Sequence, residues 1–281
     1  MMPRNAVYLC LLLPLALLAL ARPAAAQPAS AVSQCQAIAE ALPNVMFARY
    51  SPGPSTPPVR IAATQEGTVR LTLLGHSTFH IETPGGISIA TDYSGYHRPP
   101  RTPDVVTMNK AHSTHYTLTP GPEIKTVLHG WGEEGQPADH DVVVGDAYIR
   151  NVTTDIRSGY GAMEPDGNSI FIFEVAGLCI GHLGHLHHEL DDSDYAEIGR
   201  LDVLMVPVDG GLTMGAASMV RVVERLRSAI ILPMHRPGPQ VARFLDLFGP
   251  GFDRRFADSP SITVSLNSLP SKPQIVVLQG M

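Results

Sequence analysis

Two histidines three residues apart, His112 and His115, follow a short apolar run of Val105, Val106 and Met108. Pro103 and Asp104 mark the entry to that run, which reads as a buried strand. Imidazole is the commonest side-chain metal ligand, and a turn leaving a strand can aim two rings at one point. Strand ends are also where open α/β sheets hold their ligands. Alone, a histidine pair in a loop is more often a surface feature. The rest of the chain shifts that balance. All twelve histidines lie between His76 and His235. His182, His185, His187 and His188 follow a second apolar run, Leu178 to Gly181, and His235 follows a third, Ile230 to Leu232. Three strand ends thus deliver imidazoles, and aligned strands would gather them at one edge on rigid supports. Unrelated surface histidines would show no preference for strand ends.

The elements that must position these residues are legible from periodicity. Val69, Leu71 and Leu73 alternate, Gly75-His76-Ser77-Thr78 is a turn, Phe79 and Ile81 resume, and Ile87 to Ala90 leads to Thr91-Asp92. Further strands are expected at 125–129, 141–144, 147–152, 169–175, 178–181, 203–206, 230–232 and 275–278. Asp191 and Asp192 suit a helix N-cap, with Tyr195 and Ile198 on one face. Met219, Val222, Val223 and Leu226 follow helical spacing, with Arg221, Glu224, Arg225 and Arg227 opposite. Sheet-rich segments followed by alternating strand and helix imply two packed sheets with helices outside.

Residues 1–26 read as a secretory signal: Arg4, an apolar run from Ala6 to Ala21, and a small-x-small site at Ala24 and Ala26. The run is shorter than the ~20 residues of a membrane span, and Pro14 interrupts it. The expected location is periplasmic or secreted, with no membrane attachment after signal removal. Residues 27–66 form an extension and linker, with one short helix between Ser33 and Met46 and a Pro/Ser/Gly-rich stretch from Ser51 to Pro58. Residues 67–281 form the main domain. The net charge is −6, and losing Arg4 and Arg22 with the signal makes the remainder two charges more acidic. That argues against a nucleic-acid surface. Cys35 and Cys179 remain. Export permits a disulfide between them, while an inert buried thiol suits the apolar run around Cys179 equally well.

The chain from about Val69 to His235 resembles the metallo-β-lactamase superfamily, nearest to its ascorbate-6-phosphate lactonase-like branch. The resemblance rests on Gly75-His76-Ser77-Thr78, Thr91-Asp92, the strand entering Lys110–His115, Gly167-Asn168-Ser169-Ile170-Phe171, His182-Leu183-Gly184-His185 and Pro233-Met234-His235. It implies an α/β (α+β) fold, a four-layer αββα sandwich with one or two metal ions, usually zinc, at the sheet edge. The family's His-x-His-x-Asp-His motif reads here Lys110, His112, Thr114 and His115, and its Gly-Asp ligand reads Gly184-His185. The resemblance leaves the first metal position with His112 and Asp155. It supplies the second with His115, His185 and His235.

Three imidazoles with an open fourth position form a catalytic zinc arrangement, expected to hold one zinc ion, or two. Metal-bound hydroxide would then attack a small-molecule ester, lactone, amide or phosphodiester. Lys110 would replace one metal's charge and hold an anionic substrate or the developing oxyanion. His182, His188, Asp92 and Thr114 are candidates to support the ligands or join them, and His76 reads as scaffold or support. Trp131, between Gly130 and Gly132, either covers the site or packs on its own loop. The altered ligand positions leave as the alternative a catalytically inactive relative that binds a metal or small ligand.

Overall fold

The computed structural model describes residues 33–36, 67–133, 136–157 and 161–281. These all fall in one compact unit, residues 31–281. The expected signal and most of the extension lie outside the described residues, and residues 34–36 are helical.

Fourteen strands among the described residues form two sheets. They are β1 (Val69–Gly75), β2 (Thr78–Glu82), β3 (Ser88–Ala90), β4 (Val105–Met108), β5 (Thr126–His129), β6 (Asp141–Val144), β7 (Ala147–Arg157), β8 (Met163–Val175), β9 (Leu178–His182), β10 (Val203–Val208), β11 (Ile230–His235), β12 (Asp253–Phe256), β13 (Ser261–Val264) and β14 (Gln274–Val277). The smaller sheet has the order β13-β1-β2-β3-β4-β5, and the larger β12-β14-β11-β10-β9-β8-β7-β6. Among the described residues beyond 67, three α-helices accompany them, α1 (Asp192–Ile198), α2 (Ala216–Leu226) and α3 (Pro239–Asp246), with a 3-10 turn at Leu266–Ser268.

The apolar runs bury both strand faces, which is why they read as continuous rather than alternating. In β8, Phe171 and Phe173 point between the sheets, against residues such as Leu71, Phe79 and Val105. Their neighbours Ile170 and Ile172 point the other way and pack with Met219, Val222 and Phe244 of α2 and α3. The period of two thus divides one strand between two cores. On the outer face of the smaller sheet, Ala90, Val106 and Met108 are covered by Tyr93 and Ile124, with Tyr116 and Trp131 packed alongside. Trp131 lies 4.6 Å from His129, ring centre to ring centre, and 5.6 Å from Tyr116. It therefore packs on neighbouring aromatic rings.

The β7–β8 hairpin runs further than expected, because pairing continues past the apolar residues as far as Arg157 and Met163. Helix α1 starts where expected, its N-cap Asp191 accepting from the Ser193 and Asp194 backbone N–H groups. Among the strands and α-helices, α3, β12 and β13 were not anticipated. All four residues of β12 are exposed, so no apolar pattern marks it. Cys35 and Cys179 form a disulfide with a Cα–Cα distance of 6.0 Å, tying the start of the described chain to β9.

Candidate metal centre

Parallel pairing brings four strand ends to one edge. β10 pairs in parallel with β9 and β11, with Val208 opposite His235. In the smaller sheet β4 lies parallel to β3 and β5. Beyond β4 come His112 and His115, beyond β9 His185, and at the end of β11 His235. The β1–β2 turn adds His76.

Ring nitrogens of His115, His185 and His235 come within 4.8 Å of one another, and so do those of His76, His112 and His115. His115, His185 and His235 are buried, while His112 is exposed. Cross-sheet hydrogen bonds fix this edge. The Ser169 N–H donates to Asn109 Oδ1 at 2.7 Å, and the His235 N–H donates to the His76 carbonyl at 3.0 Å. His182 Nε2 donates to the Ser77 carbonyl at 2.9 Å. Gly184 has φ of 59°, and a Cβ there would lie 2.4 Å from both Asn109 Nδ2 and Asn168 Oδ1. Asn168 Oδ1 accepts from the His185 N–H at 2.6 Å. Only glycine therefore lets the chain turn over these two amides and present His185.

Carboxylates set two of the tautomers. His115 Nδ1 donates to Asp92 Oδ2 at 2.5 Å, and Asn109 Nδ2 donates to Asp92 Oδ1 at 2.9 Å. His235 Nδ1 donates to Asp209 Oδ2 at 3.1 Å. Each bond leaves Nε2 as a lone-pair acceptor, the arrangement that orients imidazole ligands in metal sites. His235 Nε2 and His185 Nδ1 are buried and have no hydrogen-bond partner. Buried polar atoms nearly always have one, so two orphans in one cluster require an explanation.

Burial, with His115 and His235 adding to it, holds the His185 imidazole far below its ordinary value. Burial lowers His115 to about 4 against the opposing pull of Asp92. Burial and then His235 lower His76 to about 3. Burial alone would raise Asp92, but His115, His182 and the His115 and Asn109 hydrogen bonds hold it well below the usual carboxylate range. Asp209 is likewise held low against burial by hydrogen bonds from His235 and the Thr213 backbone. At neutral pH His76, His115 and His185 are thus uncharged imidazoles, backed by two ionised carboxylates. Lone pairs without protons are what a cation requires, so the residues present fit a metal ion.

The other candidates fall elsewhere. The Lys110 ammonium pairs with Glu164 of β8, so it is a neutralised surface pair rather than a free cation. Thr114 Oγ1 lies 2.8 Å from His112 Nδ1 and fixes that ring. His182 uses both nitrogens, donating to Ser77 and accepting from the Gly184 N–H at 3.1 Å. His188 Nε2 accepts from the Asp155 N–H at 3.2 Å, and Asp155 Oδ1 accepts from the Asp166 N–H at 3.3 Å. His182, His188 and Asp155 are therefore committed to holding backbone. Asp209 went unnoticed in the sequence, although it directly follows a buried strand, β10. His76, expected as scaffold or support, has its Nε2 3.1 Å from His115 Nε2.

Comparison with known proteins agrees with this geometry. Residues 70–235 match the family described as Beta-lactamase superfamily domain. A UPF0173 metal-dependent hydrolase of Pyrococcus furiosus is 26% identical over 197 residues, spanning 59% of this chain and 84% of that protein. Another from Methanosphaerula palustris is 26% identical over 203 residues, spanning 66% and 92%. Among solved structures, a Thermotoga maritima protein named as a Zn-dependent hydrolase of the metallo-beta-lactamase superfamily superposes with a TM-score of 0.54. It is 28% identical, and the match covers 75% of this chain and 98% of that one. The match spans both sheets' site-bearing strands from β1 to the end of β11, and the chain belongs to the beta-lactamase superfamily.

Proposed function

We propose that the protein is a metal-dependent hydrolase that holds one zinc ion among His115, His185 and His235 and cleaves a small-molecule ester, lactone, amide or phosphodiester. The observation that carries this reading is the pair of buried, unpartnered nitrogens, His185 Nδ1 and His235 Nε2, beside carboxylate-oriented rings. The relatives and the structural neighbour named as metal-dependent hydrolases support it. Imidazole donors favour zinc over the oxygen-seeking cations magnesium and calcium. A single ion is favoured because His115 Nδ1 is engaged by Asp92, leaving one nitrogen for both histidine groups to share. When bound, such an ion supplies a Lewis acid that polarises substrate and activates water. Asp92 and Asp209 keep the rings of His115 and His235 in the tautomer that presents Nε2. Asn109 and Asn168 hold the loops that carry His115 and His185. The signal-like first 26 residues and the Cys35–Cys179 disulfide support a periplasmic or secreted location, where such bridges persist.

The test is a purification without chelators, a metal count, and assays on generic esters, lactones and phosphodiesters with and without chelator. Turnover lost on chelation and restored by zinc is expected. Metal without turnover on any of these would point instead to an inactive, ion-binding relative. Among the described residues no carboxylate joins the converging nitrogens, which favours that second reading.

A further inference from the structure

We propose that His76, on the turn between β1 and β2, is itself a ligand of the ion. The inference rests on the metal-dependent reading above and adds a residue that the histidine motif does not include. It follows from counting protons. His76 Nδ1 lies 3.3 Å from the His235 carbonyl oxygen, which can only accept, so Nδ1 carries the hydrogen. His115 Nδ1 donates to Asp92. In the neutral rings both Nε2 atoms are then acceptors, and they face each other at 3.1 Å. Two lone pairs at that distance repel unless a cation lies against both. Two imidazole nitrogens bound about 2.0–2.1 Å from one ion at tetrahedral angles lie roughly 3.4 Å apart. The observed spacing is close to that of a ligand pair.

A second observation points the same way. His76 has φ of 52°, a conformation that glycine and asparagine adopt far more readily. His235, at 86°, and Asp92, at 42°, share that property. Three strained residues thus meet at one centre, where strain persists because surrounding bonds over-determine it. The His235 N–H donating to the His76 carbonyl at 3.0 Å is one such bond. With Lys110 in a motif position normally filled by histidine, His76 reaches His115 from the opposite turn, in the group it forms with His112 and His115.

The test compares zinc affinity of the metal-free wild-type chain, His76→Gly and His188→Ala, by competition with a chromophoric chelator. The visible spectra of the cobalt-substituted forms are recorded alongside. Glycine removes the ring and suits the backbone, so the variant should fold. Expected are at least a tenfold weaker zinc affinity and an altered cobalt spectrum for His76→Gly, with His188→Ala unchanged. Wild-type affinity and spectrum in His76→Gly overturn the role of His76 and leave the metal reading standing. A wild-type chain that binds no zinc overturns both. Should His76→Gly not fold, zinc-edge anomalous scattering from zinc-loaded wild-type crystals decides. A peak within about 2.3 Å of His76 Nε2 supports the assignment, and a peak that leaves His76 outside its coordination refutes it.

Discussion

Asp209 directly follows β10 and His235 ends the neighbouring parallel strand β11, and their side chains meet, His235 Nδ1–H donating to Asp209 Oδ2 at 3.1 Å. The bond repeats across the site the relation of His115 to Asp92. Both carboxylates are buried, Asp92 held ionised by His115 and His182 together with the hydrogen bonds it accepts, and Asp209 by its hydrogen bonds from His235 and Thr213. Replacing either with asparagine should weaken zinc binding about 10- to 100-fold, since the ring loses both orientation and basicity. Chelator competition on Asp209→Asn and Asp92→Asn checks this. Affinities within threefold of wild type would separate these carboxylates from the metal site.

Gly184→Ala places a methyl group 2.4 Å from Asn109 and Asn168 at a residue with φ of 59°. Overpacking and backbone strain together should destabilise the fold by about 1–3 kcal/mol. Because the displaced residue next along the chain is His185, zinc affinity should fall as well. Urea denaturation and a zinc titration of the same preparation measure the two effects.

Reduction of the Cys35–Cys179 bridge, or Cys35→Ser, should cost about 2–5 kcal/mol of stability. The bridge closes a loop with a sequence separation of 144, so its effect on the unfolded chain is large. Denaturation midpoints with and without reductant give the answer.

The pH dependence has a definite sign. In the unfolded chain imidazoles take up protons near pH 6.5. In the folded, metal-free chain His115 and His187 resist protonation until about pH 4, and His76 until about pH 3. Their contribution is therefore complete above pH 6.5 and is lost as pH falls from there through 4 toward 3. Thermal midpoints of the chelated protein should decline across that window. The added stability from zinc should vanish over the same range, because protons compete for the same nitrogens.

Much of the fold could be read in advance because its strands bury both faces, so runs such as 178–181 and 230–232 stand out. The convergence of His115, His185 and His235 followed from their common position at strand ends. β12 was invisible because Asp-Arg-Arg-Phe at a sheet edge lies exposed and has no period. Asp209 was missed because its role depends on the register that sets Val208 beside His235, and register cannot be read from one strand. Lys110 looked like a free cation because its partner, Glu164, is brought to it only by the extended β7–β8 hairpin.

If His115, His185 and His235 hold a single metal ion, its uptake depends on those three rings. Zinc titration of the metal-free wild-type chain and of His185→Ala/His235→Ala, read by chelator competition and elemental analysis, tests it directly. One ion per wild-type chain and at least a hundredfold weaker binding in the double variant are expected. A wild-type chain that takes up no zinc, or a double variant that binds it equally well, would rule out a metal ion held by these rings.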